Sequence, residues 1–298
     1  MKRSISLLAF SLLAASAFAA EGGKKSVIMI AGHPSHGPGE HEFNAGVQLL
    51  TKCLQEGAGN LVDVKFHLNG DWPSADELSH ADTVVIYADG GGGHPALKGD
   101  HLQSLAEPMK RGCGFACLHY AVEVPKDKGG SEFLKWLGGY FEENWSVNPT
   151  WQADFKELPK HPILNGVHPY SSTDEWYFHM RFPEDPKGLT HILQDVPPES
   201  TMSRKDGPHE GNPTVRQEVA DKKPQTVAWA YERPEGSNGR GFGFTGGHYH
   251  KGWAKDDQRK LVLNAILWSA HAEVPANGVE SHPTAEDLSA NQDPKGHK

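Results

Sequence analysis

The stretch AGHPSHGPGEHEF, residues 31–43, places His33, His36 and His41 beside Glu40 and Glu42 on a turn rich in proline and glycine. Imidazoles and carboxylates at that density can coordinate a divalent ion or relay protons. Proline fixes φ and glycine permits sharp bends, so such a turn can hold its side chains inward. Similar residues recur along the chain in DGGGGH (89–94), ACLHYA (116–121), TDEWYFH (173–179) and TGGHYH (245–250). They form one site only if the fold gathers them at one edge.

The elements that could gather them are legible as apolar runs. Residues 26–31 (SVIMIA), 61–66 (LVDVKF), 83–88 (TVVIYA) and 114–119 (GFACLH) are short, rich in β-branched or aromatic residues and bounded by turn formers, as buried parallel strands are. Helical spacing appears between them at Phe43, Val47, Leu50 and Leu54, and at Leu97, Leu102, Leu105 and Met109. Strand–helix alternation predicts a doubly wound sheet with helices on both faces. EWYFHMRF, GLTHILQDV, QTVAWAYE and GRGFGFTGGHYH read as later strands, and 256–270 as a closing helix. Residues 198–224 are polar and rich in Pro and Gly, and read as a long surface excursion or lid. Ligands of open parallel sheets bind at the carboxyl ends of the strands. His33, His119, His248 and the 89–94 glycine run fall there, with His36 and His41 on the loop after the first strand.

The first 19 residues carry Lys2 and Arg3, then an apolar run, then Ala17 and Ala19 in a small-x-small pattern. This predicts a secretory signal peptide and an exported, periplasmic or secreted protein with no membrane contact after cleavage. Cleavage shifts the formal net charge from −9 to −11, which argues against nucleic acid as a partner. A single domain is expected over 24–271, followed by a poorly ordered tail over 272–298, where apolar residues are few. Three cysteines, with Cys113 and Cys117 four apart in a predicted strand, do not make a disulfide scaffold. The glycines near Gly91 and Gly92 lack GxxxxGK[ST] and GxGxxG patterns, so no nucleotide is expected; they suit close backbone approach to a ligand. HExxH, CxxC and GxSxG are absent.

SVIMIAGHPSHGPGEHEFNAG, YADGGGG, KRGCGFACLHYAVEV, FLKWLGGYF, STDEWYF, GRGFGFTGGHYH and LVLNAILWSA, in that order over residues 26–271, resemble the ThuA-like, or trehalose-utilisation, family. The resemblance implies an α/β, flavodoxin-like or class I glutamine amidotransferase-like three-layer sandwich with a mostly parallel sheet. It also implies carbohydrate metabolism, often beside sugar oxidoreductases. Glutamine amidotransferases carry a nucleophilic cysteine at the turn after the fourth strand. Here His119 stands at that turn, and Cys117 lies inside the strand, which disfavours the amidotransferase route. Many relatives follow the GGYF segment with His-Pro; this chain has FEENWSVNP, so no role for that histidine carries over.

The site expected from these residues has His33, His41 and His248 as ligands of a divalent ion, zinc or similar. His119, Glu175 and Asp174 are the candidate acid/base groups, Asp174 only if it faces the same rim. His36, Glu42, Gly91, Gly92, Tyr177, His179 and His250 are candidates for holding substrate, with Glu42 and Glu175 also able to serve as ligands or bases. A metal-free site, in which the same groups bind sugar hydroxyls and shuttle protons, fits the same residues. As an enzyme the protein would act on an oxidised, 3-keto sugar or glycoside as a lyase, isomerase or hydrolase. As a binding protein it would hold a small carbohydrate on Trp72, Trp145, Trp176 and Trp253. The oligomeric state is not legible in the sequence.

Overall fold

The computed structural model describes residues 23–295 apart from positions 235 and 237; the expected signal peptide lies outside the described residues. The first four apolar runs form strands β1 (Lys25–Ala31), β2 (Val62–His67), β3 (Thr83–Tyr87) and β4 (Gly114–Leu118). A two-stranded antiparallel ribbon, β5 (Trp151–Phe155) with β6 (Tyr170–Asp174), stands apart from the main sheet. Strands β7 (Leu189–Asp195), β8 (Gln225–Glu232) and β9 (Arg240–Phe244) complete seven strands in the order β2-β1-β3-β4-β9-β8-β7. β1 to β4 and β9 are parallel, and the β7–β8 and β8–β9 pairs are antiparallel. The five parallel strands thus follow the flavodoxin-like order 2-1-3-4-5.

Helices α1 (Phe43–Ala58), α2 (Ala75–His80), α3 (His101–Arg111), α4 (Ser131–Trp136), α5 (Pro213–Ala220), α6 (Asp256–Ser269) and α7 (Ala285–Ser289) surround the sheet. Alternate strand residues divide between two apolar cores, as the strand period of two requires. Val27 and Met29 pack with α1 and α6, whereas Ile28 and Ile30 pack with α2, α3 and α4. The result is three layers, helices–sheet–helices. Cys53, Cys113 and Cys117 are all free and buried. Among the described residues no helix is long and apolar enough to cross a membrane.

Two expectations need correction, and the third, the surface excursion over 198–224, gains internal structure. Residues 175–182 are not a strand of the sheet but an irregular segment joined to its neighbours by single bridges, Val147 to Phe178 and Tyr140 to Arg181. Its alternation is real, yet Trp176 and Phe178 enter one core while Tyr177 and Met180 enter the other, so the segment threads between the cores without a strand partner. The excursion over 198–224 carries structure of its own, with α5 capped by Asn212, whose side chain accepts from the Thr214 and Val215 N–H groups. Residues 272–295 pack on the domain instead of trailing away: Val279 is buried, Thr284 and Asp287 form a capping box on α7, and Asp287 pairs with Lys52 at 2.5 Å. Polar hydrogen bonds anchor this segment, so a lack of apolar residues did not predict its order.

Gly243 shows how tightly β9 is fitted. A Cβ there would lie 2.1 Å from the Trp229 ring, itself buried between core residues. Gly243→Ala is expected to destabilise the fold by about 1–3 kcal/mol through overpacking, read from the urea midpoint; an unchanged midpoint would contradict this packing.

Candidate metal and acid–base site

The carboxyl ends of β1, β3, β4 and β9 open onto one rim. His41 follows β1 on the Pro/Gly turn, His119 begins the turn after β4, and His248 lies four residues beyond the end of β9. His36, His41, His119 and His179 all have positive φ, between 45° and 60°. Left-handed backbone is uncommon outside glycine, and it clusters where surrounding structure fixes a functional geometry. Gly247, at φ 105°, makes the bend that turns His248 inward.

Four donor atoms meet here. His41 Nε2 is 3.0 Å from His119 Nε2 and 3.0 Å from His248 Nδ1. Glu175 Oε2 is 3.2 Å from His248 Nδ1 and 3.7 Å from His119 Nε2. All four lie within 4.8 Å of one another. The Tyr177 hydroxyl closes the group, 3.2 Å from both His119 Nε2 and Glu175 Oε2. His41 and His119 are buried, His248 nearly so, and Glu175 is half-buried.

The outer faces of the imidazoles fix their protons. His41 Nδ1 is 2.8 Å from Asp89 Oδ1, and His119 Nδ1 is 2.8 Å from the Thr245 carbonyl. Both partners can only accept, so each Nδ1 carries the hydrogen and each Nε2 presents a bare lone pair to the centre. Burial drives both rings towards the neutral form, His41 down to about 2 with His36 and His248 adding to the effect, and His119 well below the ordinary value with His41 adding to it. Burial opposes the charge of His248 too, but its bond to Glu175 prevails and raises it. Glu175 would rise on burial alone; its bond to His248 is the main opposing effect and helps bring it below the usual carboxylate value. Two neutral imidazoles with lone pairs 3.0 Å apart repel unless a cation or proton stands between them. An N–N edge of about 3.3 Å follows from tetrahedral zinc with bonds of 2.0–2.1 Å, so the donor spacing suits a divalent ion.

Several candidates from the sequence are not in this group. His33 is exposed on the other side of the turn, its Nε2 3.2 Å from Lys98 Nζ; the chain leaves β1 with that side chain pointing away, so it is not a ligand of the cluster. Asp174 is buried and accepts from the N–H groups of Gly247 (2.8 Å), His248 (3.1 Å) and Glu175 (2.9 Å). It builds the turn that carries His248; burial raises it to about 6 against those bonds. Glu42 points beneath the loop, accepting from Gly39 N and Asp293 N at 2.8 Å. His179 stacks on Trp145 and is bonded to its carbonyl at 2.8 Å. His250 is buried beside Leu288 of the C-terminal segment. His36 does reach the mouth, exposed and 3.7 Å ring to ring from His41. Gly91 lies beside Tyr120 and Glu123, whereas a Cβ on Gly92 would meet nothing within 4 Å. Cys117 is fully buried in β4, and burial pushes its thiol well above the usual value, which removes it as a nucleophile.

Asp89, Ser35 and Thr245 were missed in the sequence. Asp89 could have been found, as an acid directly after a parallel strand; Ser35 donates to it at 2.9 Å. The carbonyl of Thr245 leaves no signal in residue type. The tryptophans offered as sugar platforms are elsewhere: Trp176 and Trp253 are core, Trp145 is covered by Arg181 at 3.6 Å, and Trp72 stacks on His101.

The sequence profile of the ThuA family, described as trehalose utilisation, matches residues 28–269, so the chain belongs to that family. The structure is similar to a ThuA-like protein of Bacteroides uniformis (TM-score 0.59, 15% identity, covering 85% of this chain and 94% of that one). It is also similar to a ThuA-like protein of Parabacteroides merdae (TM-score 0.55, 14% identity, covering 89% and 99%). At these identities the likeness shows the shared fold. No curated protein matches the chain.

Buried neutral imidazoles make stability depend on acid. His41 and His94 have folded values near 2 and 4, below the unfolded 6.5. Their contribution is complete above about 6.5 and is lost as pH falls, because only the unfolded chain then binds the proton. At pH 5 each would have lost roughly 2 kcal/mol. His94 lies away from the cluster, bonded to the Ala121 carbonyl, so His94→Gln isolates the effect. Its stability should fall less steeply than the wild type's between pH 6.5 and 4.5 by about one proton's slope; parallel curves would contradict the neutral, buried assignment.

Proposed function

We propose that this ThuA-family protein is an exported, metal-dependent enzyme acting on a neutral carbohydrate, with an oxidised, 3-keto glycoside as the preferred substrate. One observation carries the metal: the bare nitrogens of His41 and His119 face each other at 3.0 Å, with His248 and Glu175 beside them. His41, His119 and His248 would hold a divalent ion, zinc or similar. A divalent ion there supplies Lewis-acid polarisation of a substrate oxygen.

The rest is the work of the chain. Glu175, ionised at neutral pH, is the base. A ketone at carbon 3 acidifies the proton on carbon 2; Glu175 takes that proton, the electron pair forms the C1–C2 double bond, and the C1–oxygen bond breaks. The Tyr177 hydroxyl donates to Glu175 Oε2 and lies 3.2 Å from His119 Nε2, and with Asn148 on Oε1 it orients the carboxylate. His36, exposed at the mouth, relays a solvent proton to the departing oxygen, which leaves as an alcohol. Asp89 and the Thr245 carbonyl hold two imidazoles in the tautomer that binds metal, as outer carboxylates and carbonyls do. The family's description supports carbohydrate as the substrate class, and the leader-like N-terminus supports export.

The experiment measures metal content by mass spectrometry and turnover on oxidised and unoxidised disaccharides. The wild type should retain about one divalent ion per chain. His41→Ala and His119→Ala should lose metal and activity together, with affinity falling at least about tenfold. Glu175→Gln should keep most of the metal and lose turnover by about a hundredfold or more. Metal binding should weaken as pH falls through the titration of His248, the ligand whose proton affinity is raised, because protons compete for its nitrogen, while His41 and His119 stay neutral. If all three variants retain near-normal turnover on a substrate the wild type converts, the site is wrongly assigned.

A further inference from the structure

The family profile ends at residue 269, yet a side chain 26 positions further on reaches the site. Lys295 is nearly buried, its side chain 7% exposed, and forms an ion pair at 3.3 Å with Glu42, which is 1% exposed. The same ammonium donates to the Glu40 carbonyl and, at 3.2 Å, to the His41 carbonyl. The Asp293 N–H donates to Glu42 Oε2, and Asn44 donates to Asp293 Oδ1, both at 2.8 Å. The peptide units on both sides of His41 are therefore gripped from below by residues 293–295. From above, His41 N–H donates to the His248 carbonyl at 2.9 Å.

This grip has a definite object. His41 holds φ 45°, a conformation a non-glycine residue keeps only when its surroundings enforce it. Two successive carbonyls turned towards one cation supply such enforcement. The buried Glu42 carboxylate also needs a cation, since a carboxylate desolvated without a partner is strongly unfavourable. We propose that Lys295 is a positioning residue of the site: the C-terminal segment is a strap that fixes the left-handed backbone of His41 and so aims its Nε2 at His119 and His248. The proposal takes its zinc-binding test from the metal-centre reading, and its second test stands without it.

Three full-length proteins decide it: wild type, Lys295→Met and Lys295→Arg. Zinc affinity is measured by competition with a chromophoric chelator. The His41 ring is followed by hydrogen–nitrogen correlation NMR, which reports whether Nδ1 alone carries the proton. Lys295→Met is expected to bind zinc at least about tenfold more weakly and to broaden or shift the His41 ring signals, with α6 and the sheet still protected from hydrogen exchange. Lys295→Arg, which keeps the cation, should restore both. Methionine matching the wild type in both readouts overturns the proposal, and so does a defect that arginine does not rescue. If the wild type binds no zinc, the metal-centre reading fails, and the ring signals alone decide whether Lys295 positions His41.

Discussion

Two neutral imidazoles pointing bare nitrogens at each other across 3.0 Å are the constraint on which the rest depends. Left alone, that arrangement is repulsive and desolvated. It persists because the other side of each ring is committed: His41 to Asp89, His119 to the Thr245 carbonyl. Those partners come from the ends of β3 and β9, so the tautomers are set by strand ends that the parallel register brings together. A cation at the centre turns the repulsion into coordination. Without one, the raised affinity of His248 for a proton puts positive charge in the same place.

Supporting structure is layered outward from that centre. Asp174 accepts three backbone N–H groups, so the ribbon β5–β6 ends where the turn carrying His248 begins. Tyr177 ties Glu175 to His119. The excursion over 198–224 adds another contact: Arg204 bonds Asn148, and Asn148 donates to Glu175 at 3.4 Å. Beyond Tyr120 a second ionisable pair borders the mouth, His209 within 3.0–3.1 Å of both Glu123 oxygens. Its bond to Glu123 raises His209 against burial, so that imidazole is the more readily charged, like His248 and unlike His41 and His119.

Much of this was legible in the sequence because strand ends in a parallel sheet are forced together. The four apolar runs gave β1 to β4, His119 and His248 followed from their places at or near strand ends, and His41 from the loop after β1; Glu175 was a candidate by residue type alone. What failed failed for physical reasons. His33 sits nearer the strand end than His41, but proximity in sequence does not determine which way a side chain leaves a turn. Asp174 and Glu175 are adjacent, and only the backbone decides that one builds the turn and the other faces the centre. The segment 175–182 has strand-like alternation because it divides its side chains between two cores. The C-terminal segment lacked the apolar pattern that marks order, since hydrogen bonds and the Lys295–Glu42 pair hold it. Partners such as the Thr245 carbonyl carry no residue-type signature at all.

X-ray absorption at the zinc edge of the zinc-loaded, full-length protein tests the central claim most directly. The account requires about three imidazole nitrogens at 2.0–2.1 Å with oxygen completing the shell, and the loss of one nitrogen scatterer in His119→Ala. A zinc ion bound without imidazole, or a shell unchanged in that variant, would contradict it.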